Sequence, residues 1–273
     1  MSVVKLKTRN ARLETQVAKV TRNSNRKPLT VVLNCDVLIV GTINPNGIII
    51  VDKPRGMTSH DVVNVVRHLF GIRKVGHAGT LDPIATGVLI ILIGDLTKRF
   101  NLLANDDKEY IARLRLGVTT DTGDALGKVT NVSDPQKVDG DLIEKAIMSF
   151  KGEIEQVPPM FSAIKFKGKS LYKWARKGII VERKARRVTI RNVLIKEISL
   201  PDVVFEVSCS KGTYIRQLCQ DIGDRLGCGG HMTELRRIRS GDFHISRAIG
   251  IDKLKSMSRD ELYNALISRV YLK

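Results

Sequence analysis

The chain predicts an α+β protein, a sheet with helices laid to one side of it. Three observations carry that expectation: a continuous aliphatic run from Val88 to Ile93, a strict alternation from Tyr110 to Leu116, and helix-spaced apolar residues beginning after Thr58. Short continuous or alternating runs make strands, whereas apolar residues recurring three and four apart make one face of a helix. The strands are joined by long irregular connections, which argues against a doubly wound nucleotide-binding sheet.

The first 46 residues stand apart, with eight Lys or Arg against Glu14 and Asp36. Arg22 to Pro28 is nearly all polar, so residues 1–46 are expected to form a basic extension, partly mobile, with one short strand within Val31 to Val40. An arginine-rich, acid-poor leader also fits an organelle transit peptide, but the strand-like run favours a solvated basic extension. From Gly47 the chain becomes regular. Ile48 to Val51 is a short strand, and Thr58-Ser59-His60-Asp61 opens a helix with a Thr-x-x-Asp cap. Val62, Val63, Val66, Leu69 and Phe70 line its inner face, and Gly71 ends it. On the strand from Tyr110 to Leu116, Tyr110, Ala112, Leu114 and Leu116 share one face, with Arg113 and Arg115 on the other. Leu142, Ile143, Ala146, Ile147 and Phe150 mark a second helix. Val203 to Cys209 is a strand leading through Lys211-Gly212-Thr213 into a helix with Ile215, Leu218, Ile222 and Leu226 inward. Twenty-two residues follow Ile251, enough for one helix around Glu261 to Val270.

Composition bounds the function. With 273 residues, 42% hydrophobic and 27% charged, the chain is globular and neither disordered nor collagenous. Its 46 Lys and Arg against 28 Asp and Glu give a net charge of +18, a field that gathers polyanions and makes nucleic acid the leading partner. Cys35, Cys209, Cys219 and Cys228 form no C-x-x-C pair, so no structural zinc is expected; they fit small buried residues in a reducing compartment, the cytoplasm. The longest apolar stretch, Val31 to Ile43, is broken by Asn34 and Asp36 and is too short for a membrane span.

Two segments are suited to chemistry or recognition. Gly76 to Gly87 holds three glycines, one proline and a single carboxylate, Asp82. Pro83 pushes Asp82 away from helical geometry and displays its carboxylate at a strand-like turn, where it serves either as a nucleophile or as an ordinary turn residue. The glycines match no phosphate-binding pattern. Lys165 to Arg191 carries eleven basic residues and only Glu182, interleaved with Phe166, Tyr172 and Trp174. That mixture suits phosphates and exposed bases.

The segment Gly47 to Pro54, the Thr58 to Val63 helix start, and Gly76 to Gly87 together resemble the TruB family of pseudouridine synthases. The likeness continues through Lys108-Glu109-Tyr110, Thr120 to Gly127, Pro158 to Lys165, Leu171-Tyr172, Ala175 to Gly178 and Ser210 to Arg216. It covers about Gly47 to Ile251. The resemblance implies a mixed, mainly antiparallel sheet with flanking helices and an RNA-binding insertion near 158–191. It implies conversion of the uridine at position 55 in the TΨC loop of tRNA to pseudouridine, with no cofactor and no metal.

By the same resemblance, Asp82 attacks the target nucleotide, Tyr110 stacks on its base, and Arg216 pairs with Asp82. A buried guanidinium would then hold the carboxylate and lower its pKa. His77 fills the space left by the flipped nucleotide or stacks in the loop, Leu235 packs beside the site, and Lys53, Lys165, Tyr172, Arg176 and Tyr214 complete the expected substrate-binding set. Residues 252–273 are expected to lack the C-terminal RNA-binding module of many bacterial members, and the protein to act as a monomer without an obligate protein partner. Two other readings remain: a guide-RNA-dependent synthase with the same Gly-Thr-Leu-Asp-Pro core, and a non-catalytic chaperone that refolds the tRNA elbow.

Overall fold

The computed structural model describes residues 45–267 and three strand segments nearer the N-terminus. Those segments, β1 (Lys19–Thr21), β2 (Leu29–Val32) and β3 (Leu38–Gly41), form an antiparallel sheet in order. The sequence suggested one strand here; Asn34 and Asp36 interrupt the apolar run, and strands lie on both sides of them. The arm expected to be mobile, Arg22 to Pro28, lies outside the described residues. The chain divides into two units, Met1–Pro45 and Asn46–Lys273.

The second unit opens with β4 (Gly47–Lys53), α1 (Ser59–Phe70), β5 (Val75–Ala78), β6 (Thr86–Ile93), α2 (Phe100–Ala104), β7 (Lys108–Leu116), β8 (Val118–Thr120) and β9 (Val129–Val132). There follow α3 (Gly140–Met148), β10 (Gly152–Gln156), β11 (Lys165–Phe166), β12 (Lys169–Ser170), α4 (Leu171–Ala175), β13 (Arg186–Ser199) and β14 (Asp202–Cys209). The last elements are α5 (Ile215–Arg225), β15 (Gly230–Ser240), β16 (Phe243–His244), β17 (Ile249–Gly250), α6 (Ile251–Ser256) and α7 (Arg259–Asn264). One large sheet runs β10-β13-β14-β7-β15-β6-β4-β17, with β5 also on β6 and β16 on β15. Only the β15–β6 and β17–β4 pairings are parallel. The sheet is therefore mixed and mainly antiparallel.

The two strand patterns have different causes. In β6, Leu89, Ile91 and Ile93 face one apolar cluster while Val88, Ile90 and Leu92 face another, so a strand covered on both sides reads as unbroken aliphatic. In β7, Tyr110, Ala112, Leu114 and Leu116 are buried, and Arg115 turns outward to a two-point ion pair with Asp202. Each buried aliphatic contributes about 1.5–3 kcal/mol relative to exposure.

Helix α1 starts as the cap predicts: the Asp61 N–H donates to the Thr58 hydroxyl (3.1 Å) and the Thr58 N–H to the Asp61 carboxylate (2.8 Å). Gly71 closes it in the left-handed region at φ 65°. The C-terminal helix differs from expectation. Ser258 and Glu261 form a reciprocal cap that starts α7 at Arg259, and the helix stops at Asn264 because Ile267 pairs backbone to backbone with Ile48. Edge pairing with β4 overrides local helical periodicity.

Candidate active site

Asp82 lies in the loop between β5 and β6, and that loop is tied down on both sides of it. The Gly56 N–H donates to the Pro83 carbonyl (2.8 Å) and the Ala85 N–H to the Asp82 carbonyl (3.0 Å). Lys53 is wholly enclosed, and its ammonium donates to the carbonyls of Met57 (2.6 Å), Pro54 (2.9 Å) and Pro83 (3.4 Å). Expected among the substrate contacts, Lys53 instead stands behind the loop as its anchor, because all three donors are taken by backbone. Burial brings its pKa down to about 8, with Asp82 opposing that fall and Arg237 adding to it.

The Asp82 carboxylate meets Arg216, Oδ2 to Nε at 2.8 Å. Arg216 sits in the first turn of α5 with its side chain 4% exposed, while that of Asp82 keeps 35% of its surface open. The guanidinium is oriented by its far edge: Nη1 donates to the Thr122 carbonyl (2.9 Å) and Nη2 to the Phe161 carbonyl (2.8 Å). A second carboxylate, buried Asp124, lies 3.6 Å from Nη1, and is fixed by the Leu126 N–H and the Thr122 hydroxyl. Asp124 belongs to a recognised motif, yet no role was attached to it from sequence.

Net of these neighbours, the Asp82 pKa is raised. Burial is the largest cause, Arg216 pulls it back, and Asp124 pushes it further up. The expectation of a carboxyl lowered by its arginine is thus corrected: desolvation outweighs the ion pair.

Tyr110 and Arg237 are directly opposite on β7 and β15, and Arg237 is opposite Gly87 on β6. Arg237 is 1% exposed. Its Nε donates to the Val88 carbonyl (2.7 Å) and its Nη2 to the Gly79 carbonyl (3.0 Å), so it braces the loop from the sheet side. Tyr110 is 8% exposed; burial raises its phenol pKa, against charge and a hydrogen bond from Arg237, and Asp82 is among the charges it senses. It packs in one cluster with Leu81 and Leu235. Gly87 has φ +99°, and a Cβ there would overlap the Arg237 carbonyl.

His77, on β5, is partly buried with its imidazole pKa lowered by burial, then by Arg237 and His60. Tyr214, just before α5, has its phenol raised by burial, contacts Ser162 and senses Asp82. Lys165, Tyr172 and Arg176 lie elsewhere, on the segment between Pro158 and β13. There β11 and β12 form a small hairpin, Phe166 meets Trp174 edge-on at 6.3 Å, and Arg176 lies over the Tyr172 ring at 5.6 Å. Lys165 and Arg176 are exposed. This segment reaches the site through the Phe161 carbonyl on Arg216.

A family model described as TruB family pseudouridylate synthase (N terminal domain) matches residues 67–215, more than half of the chain. The chain belongs to the TruB family. A second model, tRNA pseudouridylate synthase B C-terminal domain, matches residues 216–270, so Asp82 falls in one matched span and Arg216 in the other. The tRNA pseudouridine synthase B of Syntrophotalea carbinolica is 48% identical over 223 residues, covering 82% of this chain and 73% of that one. That of Clostridium kluyveri is 52% identical over 211 residues, covering 77% and 73%.

Among solved structures, a chain of a Cbf5-Nop10-Gar1 complex superposes with TM-score 0.63 at 33% identity, covering 82% of this chain and 60% of that one. This TruB-family protein is a pseudouridine synthase, an isomerase. Among the described residues, no helix is long and apolar enough to cross a membrane.

Proposed function

We propose that this enzyme isomerises the TΨC-loop uridine of tRNA, with Asp82 attacking the everted nucleotide, Tyr110 facing its base and Arg216 holding the carboxylate in line. The observation that carries this reading is the buried Asp82–Arg216 pair at 2.8 Å, open on the Asp82 side only. Extruding a stacked uridine costs a few kcal/mol, and the cationic segment from Lys165 to Arg191 supplies phosphate and base contacts toward that cost. In the reaction the N1–C1′ bond breaks, the uracil turns, C5 bonds C1′, C5 loses a proton and N1 gains one. Composition is unchanged, so no oxidant or reductant is needed.

Identity of 48–52% with proteins named tRNA pseudouridine synthase B, against 33% with Cbf5, favours a stand-alone enzyme over a guide-dependent one. The test is incubation of the full chain alone with an unmodified tRNA transcript, followed by mapping of pseudouridine. Conversion by wild type is expected. Asp82→Asn should lose it by at least about 10⁴-fold while still binding the transcript. A wild-type protein that binds but never converts would support the chaperone reading instead.

A further inference from the structure

We propose that Ser59 and Gln156 are positioning residues that hold the Asp82–Arg216 pair in register from two sides. The proposal rests on the reading that this pair carries the reaction. Leu81, the residue before Asp82, has both of its backbone polar groups on one hydroxyl: its N–H donates to Ser59 Oγ (2.9 Å), and Ser59 Oγ donates to its carbonyl (3.1 Å). Tyr214, two residues before Arg216, is held in the same manner by one amide. Its N–H donates to Gln156 Oε1 (2.7 Å), and Gln156 Nε2 donates to its carbonyl (3.0 Å). Both clamping side chains are buried.

Neither clamp serves the element that carries it. Thr58 and Asp61 complete the cap of α1 without Ser59, and the side chain of Gln156 takes no part in the pairing of β10 with β13. Their hydrogen-bonding capacity goes to the two peptides that aim the reacting carboxylate and its guanidinium. A displacement of about 1 Å at a reacting group costs roughly 10²-fold in rate, whereas RNA affinity, set by remote phosphate contacts, is indifferent to it.

The test uses the full chain with an unmodified tRNA transcript under steady-state conditions. Ser59→Ala and Gln156→Leu should each lower kcat roughly tenfold to a hundredfold and leave KM within about threefold of wild type. Ser59→Thr, which keeps the hydroxyl, should recover most of the loss. Val66→Ala, in the same helix but with no hydrogen-bonding group to offer Leu81, should lower Tm without lowering kcat. The double variant should lose less than the product of the two single losses, since both loosen one pair.

Equal kcat losses in Val66→Ala and Ser59→Ala at matched Tm, a change confined to KM, or fully multiplicative losses would each overturn the proposal. Gln156→Leu repeats the test on another element should Ser59→Ala fail to fold. A crystal structure of either variant gives a readout free of the substrate assignment: the Asp82 Oδ2 to Arg216 Nε separation should depart from 2.8 Å. A pair left intact in both variants refutes the clamps, while a wild type inactive on the transcript refutes only the substrate.

Discussion

The loop around Asp82 and the segment from Pro158 to Gly178 both touch Arg216, one through a carboxylate and the other through the Phe161 carbonyl, yet they are built by opposite rules. In the loop, peptide groups are met by partners from distant elements: Leu81 by Ser59, Pro83 by Gly56 and Lys53, Gly79 by Arg237. In the segment, lysines and an arginine stand in solvent over aromatic faces, Lys167 over Phe166, Lys169 over Trp174 and Arg176 over Tyr172. On the proposed function the difference follows: bond exchange tolerates little positional error, so its groups are desolvated and fixed. Capture of a polyanion needs excess charge that water and salt can reach, and it tolerates movement.

Substitutions separate the two regimes. The largest effect after loss of the aspartate itself is expected for Arg216→Lys: an ammonium lacks the planar fork that reaches Asp82, Thr122 and Phe161 together. Turnover should fall about 10²- to 10³-fold in single-turnover assays with transcript affinity preserved. Asp124→Asn should cost about tenfold at neutral pH, because Arg216 loses a buried counter-charge.

The same change should move the acid limb of the pH–rate profile. With Asp82 needed ionised and its pKa raised partly by Asp124, removing that neighbour shifts the limb toward lower pH; an unmoved limb would show that Asp82 does not set it. Replacing Lys167, Lys169 and Arg176 together by alanine should act on the other region, raising KM and reducing the slope of log affinity against log salt by about two. A fall in kcat instead would break the division of labour.

The smallest effect concerns Lys53, whose folded pKa is lowered from 10.5 to about 8. Between those values the unfolded chain binds more protons than the folded one, so stability rises with pH. Wild type should gain Tm relative to Lys53→Met as pH climbs from about 8 to about 10.5, and lose that gain on descent.

Much of the fold was legible because its signals are local. Thr58, Asp61 and Gly71 bound α1 by cap chemistry, β7 alternates, and β6 is aliphatic throughout. Pro83 and the glycines singled out the Asp82 loop but left its carboxylate as either nucleophile or turn residue, and the family likeness supplied the expected roles of Asp82, Tyr110 and Arg216. The supports of the site were not legible. Arg237 sits among Arg236 and Arg239 and reads as surface charge; only the missing side chains at Gly79 and Gly87, far away in sequence, hint at the room it occupies. Ser59 passed for part of a cap and Lys53 for a substrate contact, since nothing in local order reveals that their partners are the peptides of Leu81 and Pro83. The end of α7 was misplaced for the same reason, its limit being set by Ile48 on the opposite end of the unit.

Gly87 carries a last consequence. It faces the backbone of Arg237 where β6 and β15 run side by side in the same direction, and there is no volume for even a methyl group. A saturation library at this codon should return glycine alone among active clones. On the proposed function, substitution can remodel the cationic segment that would grip RNA, but it stops at that seam.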